Sequence, residues 1–506
     1  MKRIVLLAFA ICVGQPATAQ LAAYPAPKGS ILSTYFTVKV REAGKSWQPL
    51  PVYPAHVAEV INSKSVIQQT SFAYFDFSGK VEISVTYNKG AVHAARVRPL
   101  REGINPGVKG NTISFFLTEP KNLSIEVNGD LFHNLNLFAS PPDVSPPSAQ
   151  DTSVIYYGPG IHYAGKKLVP SNKTVYLAGG AIVQGSFVVN RAQNVKIRGR
   201  GILTQVAIVQ ESSGKPLPRD PGLPGNDRSD EITVQYSKNV EIEGLIVVPD
   251  KYSVLVGQSA GVTIRNFKSF SAGGNADGLD IFSSTDVVID RVFMRNADDC
   301  IAIYGHRWGY YGNLTNLTVT NSILWADVAH PVLIGTHGDS RNPDTLSNIR
   351  FHNIDILDQF ENQVDYQGCL SLNAGDSNFI RDVSFEDIRI DDIRKGQLVN
   401  LRIMFNSKYN TSAGRGIENV HFKNISYNGS RANLSIIAGY DQGREIRNVT
   451  FENLVINGRV IYDNMTGKPA WYKTGDMANF FIGEHVKGIK FLRVDGAAEA
   501  KSGTGN

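Results

Sequence analysis

Cysteine is scarce in this chain of 506 residues: three are present, at positions 12, 300 and 369. Three cysteines make no disulfide framework, so stability has to come from a buried apolar core. Charge of one sign is lacking too. Lysine and arginine total 51 against 46 acidic residues, a balance of +5 that falls to 49 against 46 once Lys2 and Arg3 are set aside with an export segment. No basic run accompanies that excess, which excludes a nucleic-acid footprint. Long apolar runs are also missing. Beyond the N-terminus none reaches the ~18 residues that would span a bilayer as a helix. A hydrophobic content of 42% excludes a disordered or collagen-like chain.

The first twenty residues carry the marks of export. Lys2 and Arg3 are followed by an apolar stretch from Ile4 to Val13 and by the small-x-small site Ala17-Thr18-Ala19. A signal peptide over residues 1–19 is therefore expected, with the mature protein secreted or periplasmic and keeping only Cys300 and Cys369. Both read as small buried apolar residues, although export would permit one bridge.

Two patterns follow. Residues 20–147 alternate in short runs such as Tyr35-Phe36-Thr37-Val38-Lys39-Val40 and Val81-Glu82-Ile83-Ser84-Val85-Thr86-Tyr87. That alternation predicts a small antiparallel β-sandwich domain. Four prolines between Pro141 and Pro147 stiffen the chain and mark a boundary.

Residues 148–506 repeat. Units beginning at Asn239, Gly261, Asp286, Asn316, Asn348, Asp382, Asn419 and Asn448 each alternate apolar and polar residues, and start 22 to 37 residues apart. Related runs lie at Asn194 and Gly488. One such unit cannot bury its apolar side alone, so neighbours must stack into a continuous core. A constant strand with turns of varying size predicts a right-handed parallel β-helix, and so an all-β chain. A propeller would need longer, more even units, and a leucine-rich horseshoe its own leucine spacing. The sandwich is expected to cap the open end of the solenoid.

Acidic residues gather on consecutive rungs. Asn275-Ala276-Asp277-Gly278-Leu279-Asp280 precedes Asn296-Ala297-Asp298-Asp299-Cys300-Ile301, and 21 residues, about one coil, separate Asp277 from Asp298. Stacked strands lie about 4.8 Å apart, so these two fall on neighbouring rungs, and Asp299 joins them if the strand bends. Carboxylates crowded in this way repel, and one proton should be retained near neutrality. A retained proton beside ionised carboxylates suits glycoside hydrolysis. Asn and Asp ladders at coil turns would use the same letters.

These motifs resemble the signature of the polygalacturonase family, glycoside hydrolase family 28: Asn-x-Asp-Gly, then Asp-Asp-Cys-Ile-Ala-Ile about 20 residues on. His330-Pro331-Val332-Leu333-Ile334-Gly335-Thr336-His337-Gly338 resembles that family's histidine block. The resemblance implies that Asp298 is the general acid and that Asp277 and Asp299 activate water, with inversion. It also implies that His330 bonds an aspartate in the cleft. The family's Arg-Ile-Lys rung is replaced here by Gly368-Cys369-Leu370-Ser371-Leu372, without a cation. Arg402-Ile403-Met404 resembles it a coil later but lacks the lysine. A sandwich ahead of a β-helix is similar to glycoside hydrolase family 49, the dextranase and isopullulanase group acting on neutral glucans. The substrate expectation therefore tilts towards a neutral or weakly charged polysaccharide.

Substrate contacts are expected from the loop His306-Arg307-Trp308-Gly309-Tyr310-Tyr311, whose aromatics offer flat faces to sugar rings, and from Lys251, Tyr252 and His337. The turn Asp339-Ser340-Arg341 is a weaker candidate. Gly179-Gly180 is read as a coil turn, since it lacks the Lys-Ser/Thr of a nucleotide loop. No metal and no cofactor is expected. A β-helical polysaccharide lyase and a non-catalytic carbohydrate-binding solenoid are the alternatives; the sequence does not specify the oligomeric state.

Overall fold

The computed structural model describes residues 20–206 and 230–494. The expected export segment, with Cys12, lies outside the described residues. No described helix is long and apolar enough to cross a membrane.

Residues 20–140 form two facing sheets. One holds Lys64–Ser78 at its centre with Tyr53–Ile61 and Asp130–Ser140 beside it, and the other is built on Phe36–Glu42, Val81–Tyr87 and Thr112–Leu117. Alternating residues of the two sheets, among them Val38, Phe75, Ile83 and Leu137, meet in one buried core. The sheets depart from a purely antiparallel sandwich at one pair, where Asp130–Ser140 runs parallel to Lys64–Ser78. The chain between those strands passes through the opposite sheet, which supplies the long crossover that parallel pairing needs.

From Val154 to Leu492 the described strands join into one sheet of 29, parallel in its pairings except for the antiparallel pair Leu454–Ile456 with Arg459–Ile461, and wound as a right-handed β-helix. The repeat units stack in register. Val195 lies over Val240, then Val262, Val287, Leu317, Ile349, Val383, Val420, Val449 and Ile489. Two residues further along, the later strands build an aromatic column in the interior. Phe351, Phe385, Phe422, Phe451 and Phe491 stack with successive ring centroids 5.0, 5.1, 4.7 and 5.0 Å apart. Asn and Asp open the units because the turn there needs a left-handed backbone, as at Asn316 (φ 58°) and Asn348 (φ 53°). Their side chains also bond from coil to coil, Asn348 Nδ2 donating to Asn316 Oδ1 at 2.6 Å. Cys300 and Cys369 are free and buried in this core.

The sandwich does not cap the solenoid. Its outer face, carrying Tyr53, Phe72, Tyr74 and Phe138, packs on the flank of the β-helix against Ile182, Ile246, Phe270, Phe293, Trp325 and Leu357. These flank strands bear apolar residues on both faces, so the flank needs cover that a polar strand face does not. Buried ion pairs pin the contact. Arg98 reaches Glu126 at 2.9 Å and Asp391 at 3.2 Å, and Arg295 joins Asp327 at 3.0 Å while donating to Asn134 Oδ1. Each of these charges is paired, as burial demands.

Candidate active site

The site lies on another face of the β-helix, over the strands Val254–Gly257, Leu279–Phe282, Ile301–Tyr304 and Val332–Gly335. Alternate residues of these strands, such as Leu279, Ile281, Ile301 and Ile303, enter the core. The intervening ones, Asp280, Phe282 and Tyr304, line a cleft of about 590 Å³. The turns preceding the strands are stitched together: Gly278 N donates to Asp299 O (2.8 Å), and Cys300 N to His330 O (2.8 Å). Gly278 has no room for a side chain, since a Cβ there would stand 2.4 Å from both Cys300 O and Met294 Cε. A bend at Ala297 and Asp298 separates the two strands of that coil, and both Asp298 and Asp299 line the cleft.

Five carboxyl groups share the space: Asp277, Asp280, Asp298, Asp299 and Glu361. Burial first, then the charges of Asp299 and Glu361, push Asp298 up to about 7, against the pull of His330. Burial and the neighbouring acids hold Asp277 and Asp280 well above the usual carboxylate range, and these two are hydrogen-bonded to each other. Asp299 accepts three bonds, from His330 Nδ1 (2.7 Å), His330 N (3.2 Å) and Tyr304 Oη (3.3 Å). His330 is fully buried, and its Nε2 faces Tyr366 O at 2.7 Å. A carbonyl only accepts, so both ring nitrogens carry protons. Burial opposes that imidazolium, but the charge and hydrogen bond of Asp299 outweigh it and lift His330 to about 9.

The structure sorts the other expected residues. Tyr252, Arg307, Trp308 and His337 line the cleft. Trp308 is 41% exposed and meets Tyr252 and Phe282 edge-on. Burial, then the charge of Arg307, lowers His337 to about 4, so it is neutral at pH 7. Tyr310 is instead 2% exposed, its ring over Gly257 and its hydroxyl on Gln235 Oε1 at 2.7 Å. Lys251 is exposed and outside the cleft. His306 packs at a tilt against Tyr311 in a separate hollow, which also holds Asp339 and Arg341. Ser371 and Asn373, the outward residues of the rung after the histidine block, are fully buried, so no cation reaches the cleft from that rung.

Sequence reasoning missed Asp280, Glu361, Gln363, Tyr366, Lys408 and Tyr409, which all line the cleft. Asp280 was legible, because inward Leu279 and Ile281 oblige it to point out. The other five sit in the two longest intervals of the repeat, 34 and 37 residues, where extra chain has to leave the coil as loops. Among the described residues, His352, Glu386 and Asp387 bring three possible metal ligands within 4.8 Å of one another, but outside the cleft and with Lys423 on Glu386 at 2.8 Å.

Residues 175–470 match the family model for glycosyl hydrolases family 28. Endopolygalacturonase B of Aspergillus niger is 27% identical over 205 residues, covering 40% of this chain and 51% of that protein. A probable endo-xylogalacturonan hydrolase A of Neosartorya fischeri is 27% identical over 172 residues, 32% of this chain and 40% of that one. The chain spans about half the length, or less, of these curated relatives. Dex49A from Penicillium minioluteum has a similar fold, with a TM-score of 0.58 at 14% identity over 93% of this chain and 96% of that one.

Proposed function

Because this chain belongs to glycosyl hydrolases family 28 and is a glycosidase, we propose that it hydrolyses a polysaccharide outside the cytoplasm with inversion at the anomeric carbon. The observation that carries this is Asp298, a carboxyl group pushed up to about 7 among charged neighbours. It would keep a proton to give to the glycosidic oxygen as the C1–O bond breaks. Asp299 is the base. Its carboxylate, steered by His330 and Tyr304, takes a proton from the water that attacks C1 on the opposite face of the ring. Asp277, hydrogen-bonded to Asp280, holds that water. His330 positions Asp299 and keeps a positive charge beside it. Tyr252 and Trp308 offer ring faces to the sugar.

The loops do bring cations into the cleft, in Arg307 and Lys408, so a uronate carboxylate would find a partner despite Ser371 and Asn373. The test is a panel of dextran, pullulan, polygalacturonate and rhamnogalacturonan, followed by new reducing ends and ultraviolet absorbance together. New reducing ends without absorbance are expected on at least one. An unsaturated, absorbing product would mean elimination and would overturn the proposal.

A further inference from the structure

A parallel β-helix with a flat face leaves a groove running along its axis, across every rung. On the active-site face the outward positions stack in register from Leu255 through Asp280, Ala302, Leu333, Ser371 and Asn400 to Ile436 and Phe481. Leu255, Asp280, Ala302, Leu333, Ser371 and Asn400 are all covered, and the face is half-buried at Ile436 and open at Phe481, which is 53% exposed.

Two walls do the covering. On the side of earlier rungs, Tyr310 lies on Gly257 so closely that a Cβ there would come within 2.4 Å of its ring, and Trp308 leans edge-on to Phe282, with centroids 5.4 Å apart. On the side of later rungs a single turn, Val364–Tyr366, is clamped to the floor. Gln397 Nε2 donates to Val364 O at 3.0 Å, Arg402 Nη1 to Asp365 O at 3.4 Å, and Tyr366 Oη shares a 3.0 Å hydrogen bond with Thr336 Oγ1. Tyr409 stacks on Tyr366 with centroids 5.0 Å apart and donates to Gln363 Oε1 at 3.0 Å; Lys408 Nζ reaches the same oxygen at 3.2 Å. The arginine whose letters resemble a substrate-binding motif is thus spent on holding the wall.

We infer that the groove is dammed on both sides of the carboxylates and that the enzyme cuts its polysaccharide from a chain end, not in mid-chain. The inference rests on the hydrolase proposed above. A through-running chain would have to cross the Trp308 and Tyr366–Tyr409 walls, whereas a chain end can enter the pocket between them. Its volume lies within the range of roughly 300–1,000 Å³ usual for small-ligand sites. Gln363, Tyr366 and Tyr409 are then the residues that limit product length.

The experiment follows viscosity, reducing ends and first-product size together, on polygalacturonate and on dextran. Chain-end attack predicts a single mono- or disaccharide from the first time point, with viscosity falling only in step with reducing ends. It also predicts a rate that scales with the molar concentration of chain ends. A rapid loss of viscosity with a ladder of oligosaccharides overturns the inference and leaves the hydrolase standing. Absence of hydrolysis on the whole polysaccharide panel overturns both. Lowering the wall supplies a second readout. Tyr409→Ala, or Gln363→Gly should the first fail to fold, is expected to lengthen the first products, and an unchanged product profile in a folded variant also overturns the inference.

Discussion

Replacing Asp298 by Asn keeps the shape of the group and removes its proton. Asp299 N donates to Asp298 Oδ1 at 3.2 Å, and the amide oxygen of Asn preserves that bond, so the fold should survive. With Asp298 at about 7, about half of the wild-type enzyme carries the proton at pH 7, and about a tenth at pH 8. The wild-type rate should therefore fall about tenfold per pH unit above the midpoint. General acid catalysis contributes about 100- to 10,000-fold, which is about 3–6 kcal/mol of barrier at about 1.4 kcal/mol per tenfold. We expect Asp298→Asn to lose kcat by that factor at pH 6, with little change in KM, and to lose the alkaline limb near pH 7 altogether. The assay is initial-rate release of reducing ends across pH 5–9, with a melting curve to show the variant folded. A folded variant that keeps more than about a tenth of the rate, or the same alkaline limb, would refute the assignment of Asp298 as the acid.

The same electrostatics set stability and packing. His330, raised to about 9, stabilises the fold fully below its unfolded value of about 6.5 and loses that contribution as pH rises through 9. His330→Gln should cost about 3–5 kcal/mol at pH 6, with the difference shrinking towards pH 10. It also removes the charge that pulls Asp298 down, so the alkaline limb of activity should move up; an equal melting temperature at pH 6 or a downward shift would contradict this. Asp280, 1% exposed and raised well above the usual range, has the opposite sign. Its cost appears as pH climbs above about 4, at about 1.4 kcal/mol per unit of displacement. Asp280→Asn should therefore melt higher than wild type at pH 8 and close to it at pH 4, as scanning calorimetry would read. Phe138 is 1% exposed, with ring centroids 6.3, 5.8 and 5.1 Å from Phe72, Phe270 and Phe293. Phe138→Ala should cost about 3–5 kcal/mol and lower one common transition; two separate transitions would show that the sandwich and the solenoid unfold independently.

The solenoid was legible because stacking makes a demand on every unit. Val240, Val262, Val287 and their successors must all face inward, and Asn or Asp must recur where the backbone turns left-handed. The docking of the sandwich on the flank had a fainter signal in runs such as Ile246-Val247-Val248, apolar on both faces as a strand buried on both sides requires. Those letters do not say what covers them. In the loop after Tyr304, periodicity ends, and adjacent aromatics part company. An antiparallel bridge between Arg307 and Tyr310, with Trp308 at φ 52°, leaves Trp308 exposed to the cleft and buries Tyr310. The walls around Tyr366 and Tyr409 were visible only as surplus length, because long-range contacts such as Tyr409 with Gln363 have no local spacing to betray them.

Proton NMR of the first sugar released, taken before mutarotation, tests the three-aspartate mechanism most directly. Water delivered opposite a leaving oxygen protonated by Asp298 predicts a product of inverted anomeric configuration. A product that keeps the configuration of the cleaved bond would mean a covalent intermediate on one of the carboxylates and would contradict the roles given to Asp277, Asp298 and Asp299.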